Sequence, residues 1–154
     1  NPVNVTAAEI TDSVRKGAVT MGGGAMMDFP TGTQPGDTIS ADEGVITLHI
    51  RVQTPSFTKV DRLMVIANGL LILDQPIISN TEDILDLDER LTLNLTEDAH
   101  VTVMALGNRQ LEVVRPGGPV FALSNPIWVD VDNDGLTLPG AREVPSLNLF
   151  FCSQ

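Results

Sequence analysis

From Val45 to Gln53 the chain reads VITLHIRVQ: Ile46, Leu48, Ile50 and Val52 face one way, Thr47, His49, Arg51 and Gln53 the other. A period of two fits an extended strand with one buried face and excludes a helix, whose apolar positions recur every three or four residues. The period returns in RLTLNLTEDAHVTVMAL. In LMVIANGLLIL the pair Asn68-Gly69 separates two apolar runs, and both residues tolerate the positive φ of a two-residue hairpin turn. A second hairpin is expected to reverse at Thr96–Ala99. Further strands are expected at Ala18–Met21, Met26–Phe29, Leu111–Val114, Ile127–Val131 and Leu147–Phe151. The acidic stretch Glu82–Glu89 reads as a solvated loop entering a strand. Gly and Pro punctuate at short intervals in PTGTQPGD, RPGGP and LPGA. Many short strands with regular turn signals predict a mainly β chain, an antiparallel β-sandwich of immunoglobulin-like or related form.

One helix precedes the strands. Thr6 and Glu9 form a T-x-x-E capping box, and Ala7, Ile10 and Val14 share a face. Arg15 and Lys16 suit the last turn, and Gly17 stops the helix. Ten residues are marginal alone, so this helix is expected to dock on something. Residues 1–17 therefore read as a helical connector and 18–154 as the sandwich domain, with a chain of 154 residues sufficing for one core.

Composition narrows the function. Twenty acids against nine bases give a formal charge of −11, which opposes nucleic acid and anionic membrane. Aromatics are 4% with no Tyr, so the core must be aliphatic and platforms for base or sugar stacking are scarce. No run of 18 apolar residues predicts a membrane span. The single Cys, Cys152, rules out a disulfide within the chain.

Asp130, Asp132, Asp134 and Gly135 match the first half of a D-x-D-x-D-G calcium loop, in which alternate oxygens converge on a hard cation. The second half departs: Leu138 stands at the ninth position and Ala141 at the twelfth, where a bidentate Glu is needed, and Glu143 reaches only by another path. The competing reading is a strand with acidic outward residues ending in an Asn-Asp-Gly turn. His49 lies on a polar strand face, and His100 has only Asp98 near it in sequence, so neither belongs to a transition-metal set. MGGGAMM lacks the Lys-Ser/Thr ending of a phosphate loop, and its glycines instead permit a tight turn or close backbone approach. No Ser or Cys has the context of a nucleophile. Asn4-Val5-Thr6 and Asn94-Leu95-Thr96 match glycosylation sequons. In SNPIWVDVDNDG, Ile127 faces the core and Trp128 the opposite side.

Taken in order, DSVRKGAVTMGGG, GDTI, LHIRVQTPSFTKVDRLMVIANG, EDAHVTVMALG and FALSNPIWVDVDNDG resemble the C-terminal region of the carbaryl-hydrolase-like (CehA/McbA) branch of the bacterial PHP-type metallohydrolases. The resemblance runs from about Thr11 to Gly135. Members tend to carry an aromatic near Phe57 and another near His100, and often a Gly-Pro after the first strand, where this chain has Gly22-Gly23-Gly24. The resemblance implies a β-rich domain following a barrel that binds divalent metals through a His-x-His motif, which this chain lacks. The expectation is a noncatalytic accessory domain that packs on that catalytic PHP-type domain or shapes access to it. The alternative is a stand-alone module that uses calcium at Asp130–Asp134 to bind a glycan or protein.

Overall fold

The computed structural model describes residues 4–78, 84–110 and 117–137. The expected strands Leu111–Val114 and Leu147–Phe151, as well as Ala141, Glu143 and Cys152, lie outside them.

Helix α1 spans Ala7–Arg15, and its capping box forms in both directions between Thr6 and Glu9. Among the described residues ten strands follow: β1 (Thr20–Gly23), β2 (Met26–Asp28), β3 (Thr38–Ser40), β4 (Val45–Gln53), β5 (Arg62–Ala67), β6 (Leu70–Pro76), β7 (Leu85–Asn94), β8 (Ala99–Gln110), β9 (Pro119–Ser124) and β10 (Ile127–Asp130). They make a β-sandwich. The smaller sheet has the order β2-β4-β7. In the larger, β8 is central, with β5 and then β6 on one side. β9 and β10 share its other side and continue into β1 and β3. Chain-consecutive strands thus exchange sheets: β4 pairs β7 while β5 pairs β8, the interlocked Greek key of immunoglobulin-like sandwiches.

Alternation places the core. Ile46, Leu48, Ile50 and Val52 are all buried, facing Leu63, Val65, Val101, Val103, Ile127 and Val129 of the larger sheet. The hairpin at Asn68-Gly69 forms, with φ of 49° and 78°. The second expected hairpin does not. β7 and β8 flank Thr96–Ala99 but pair in different sheets, so this segment is an arch across the sandwich. Both strands have an apolar face, and burying both faces against each other requires opposing sheets, an outcome local alternation cannot distinguish from a flat hairpin. The expected strand at Ala18–Met21 lies two residues later. After the αL turn at Gly17, pairing with β9 starts only at Thr20 and runs through Gly22 and Gly23. A Cβ on Gly23 would lie 2.5 Å from the Phe121 ring, so these glycines serve a close approach inside a strand.

The acidic stretch is also corrected from Leu85 onward, where it is strand β7. Glu89 turns inward on this strand, the edge of the smaller sheet among the described residues, and accepts from Gln75 Nε2 of β6 at 2.9 Å, linking the two sheets. β9 and β10 are one strand interrupted at Asn125-Pro126, where proline cannot donate to a ladder. β1 pairs β9 antiparallel while β3 pairs β10 in parallel. Trp128 is half-buried on the outer face, opposite buried Ile127, its ring 6.0 Å from that of His100.

Candidate functional site

At one end of the sandwich the loop after β10 meets the β7–β8 arch. Asp130 Oδ1 accepts from Asn133 N at 2.8 Å and Oδ2 from Gly135 N at 3.2 Å, while Asp132 accepts from Asp134 N at 3.3 Å. Asn133 and Gly135 carry positive φ, as the Asn-Asp-Gly turn requires. The structure brings the three sequence-nominated aspartates together and adds a fourth. Asp98, 7% exposed, reaches in from the arch, and one oxygen of each of Asp98, Asp130, Asp132 and Asp134 lies within 4.8 Å of the others. No spacing rule joins Asp98 to the loop, because 32 residues that include strands β8 and β9 separate it from Asp130. The only sequence signal was an acid two residues before His100, in the segment expected to be a hairpin turn.

Asp98 holds the loop. Its carboxylate accepts from Val131 N at 2.8 Å and Thr137 N at 2.5 Å. These donors, Thr137 first, keep its pKa below the ordinary value against the opposing effect of burial. The Asp134 carboxyl is pushed up instead, first by its hydrogen bond with Asp132 and then by that neighbour's charge, burial, and the charges of Asp98 and Asp130. A lowered folded pKa stabilises the fold above the unfolded value of about 3.9 and loses that effect as pH falls through the folded pKa. Asp98→Asn is therefore expected to destabilise the fold at pH 7 and to do so less at pH 3. Urea unfolding at both pH values checks this. An equal loss at the two would refute the charge-based account.

Two further polar groups come together away from that end. On the outer face of the smaller sheet, Arg90 Nη2 donates to Thr31 Oγ1 at 3.2 Å, and Thr31 Oγ1 lies 2.8 Å from His49 Nδ1. His49 Nε2 in turn sits 2.6 Å from Asp88 Oδ1. Arginine only donates and the carboxylate only accepts, so the proton of the neutral imidazole belongs on Nε2. The relay ties the loop after β2 to β4 and β7, and places His49 on the polar face expected for it. The second group is buried. A bulge in β7, opposite Val52/Gln53, turns Asp86 inward to Thr54 Oγ1 and to Lys59 Nζ.

The remaining surface is more apolar than an acidic chain would suggest. None of the residues of α1 is buried, and Ile10 and Val14 are 56% and 59% exposed. A groove of about 530 Å³ runs between this helix and Ala18–Thr20. A larger one, about 820 Å³, is lined by Met21, Met26, Met27, Thr54, Pro55 and Ile84 around the glycine segment. Among the described residues no helix is long and apolar enough to cross a membrane. The chain matches no family model, no curated protein and no solved structure.

Proposed function

We propose that this chain is a noncatalytic accessory β-sandwich that packs on a larger metal-dependent hydrolase domain of the PHP type its sequence resembles. The observation that carries the reading is α1. It is amphipathic and fully capped, yet buries none of its residues against the sandwich. Nine residues do not sustain a helix in water, so its apolar face calls for a partner surface. Exposed Met21 and Met26 beside the larger groove extend that face with side chains that adapt to irregular contacts.

The test compares the isolated chain with the longest polypeptide whose reading frame contains it. Amides of Ala7–Arg15 are expected to exchange more slowly in the longer protein, and Ile10→Lys with Val14→Lys to abolish that protection. Equal exchange in both, or a reading frame without a histidine-rich barrel, would overturn the proposal.

The convergence of four carboxylates favours a second reading, a binding module whose end loop is organised by calcium. Asp98, Asp130, Asp132 and Asp134 would hold the cation, relieving their mutual repulsion. A cation at one hundred times its Kd adds about 2.7 kcal/mol. At about 2–4 °C per kcal/mol for a chain of this size, melting in calcium should exceed melting in chelator by several degrees. Identical melting curves would reject it.

A further inference from the structure

The segment before β5 and the start of β7 belong to opposite sides of the sandwich. Lys59 and Asp86 meet between them, their side chains 9% and 0% exposed, with Lys59 Nζ 3.0 Å from Asp86 Oδ1. That oxygen has no hydrogen-bond partner, so the amine is close without being aligned to donate to it. The other oxygen, Oδ2, takes the Thr54 hydroxyl proton. The backbone on the lysine side has little freedom: a Cβ on Gly107 of β8 would stand 2.1 Å from the Lys59 carbonyl oxygen. On the other side the bulge in β7 aims the carboxylate.

We propose that Lys59 and Asp86 condense into an intramolecular isopeptide bond, a covalent clamp between the two sheets. A proton passes from the Lys59 ammonium to the Asp86 carboxylate, leaving a neutral amine and a neutral acid. The amine lone pair attacks Cγ while the Thr54 hydroxyl holds Oδ2 and draws electron density from the carbonyl. The new C–N bond forms, the C–Oδ1 bond breaks, and Oδ1 departs as water with its own proton and one from the amine. One positive and one negative charge vanish together, and no oxidant or outside reagent is consumed. Two features favour the step. Holding the reactants in contact replaces an encounter by an effective concentration far above any in solution. Condensation also removes two buried charges whose desolvation opposes folding. In a chain with one Cys, which has no internal disulfide, such a bond supplies the cross-sheet staple.

The experiment is the intact mass of the purified wild-type chain, followed by tryptic mapping. A mass lower than the sequence mass by one water is expected, together with resistance to cleavage after Lys59 and a branched peptide joining Lys59 to Asp86. The double variant Lys59→Met/Asp86→Leu, which replaces the pair with apolar side chains of similar size, should show its full sequence mass. An undiminished wild-type mass overturns the proposal. So does a water deficit that survives in the double variant, since Asp134-Gly135 can lose the same water by cyclising to a succinimide.

Discussion

Ile50→Ala is expected to destabilise the chain by about 2–5 kcal/mol, lowering the urea midpoint without changing the slope. Ile50 is fully buried in the middle of β4, the central strand of the smaller sheet. The cost has two sources. Removing its distal carbons forfeits burial worth roughly 0.8 kcal/mol for each methylene. The rest is the cavity, since a side chain wedged between β4 and the larger sheet cannot be replaced by simple collapse of either sheet. The partners across the gap are aliphatic, and few large rings stand nearby to swing in. The same truncation at Val45, which is 45% exposed at the start of β4, should cost well under 1 kcal/mol. Equal losses at the two positions would mean that the inward and outward faces of β4 are wrongly assigned.

The second large effect concerns the buried pair. Lys59→Met and Asp86→Leu, made singly, are each expected to lose about 3–5 kcal/mol, because each strands an uncompensated charge out of water. Together they should be much less harmful. The double variant is expected to be more stable than either single by about 3 kcal/mol, since an apolar pair of similar volume avoids desolvation altogether. A covalent link in the wild type would be absent from all three variants alike and would leave this ordering unchanged. Additive losses in equilibrium urea unfolding would show that the two side chains do not act as a pair.

These residues also show where local reasoning stops. The inward set of β4, the turn at Asn68-Gly69 and the capping box at Thr6 are each written in fewer than ten consecutive residues, and each appears in the structure as expected. The aspartates 130, 132 and 134 were visible for the same reason. Asp98 was not, because its contribution depends on an arch that carries the chain from one sheet to the other. Asp86 was obscured differently. By alternation it belongs with outward Asp88 and Arg90, and a single extra residue in the ladder with β4 reverses its direction.

What the linear chain settled by itself was class and periodicity: strands of mostly aliphatic residues, one capped helix, tight turns, and a strongly acidic composition. Those properties follow from interactions among neighbours in sequence, where φ preferences and side-chain alternation act. Tertiary structure alone decided which strands share a sheet, that α1 stays unburied, and that Asp98 joins the loop and Lys59 meets Asp86. Each of those outcomes depends on residues far apart in sequence meeting in a core, where burial of whole faces outweighs any local preference.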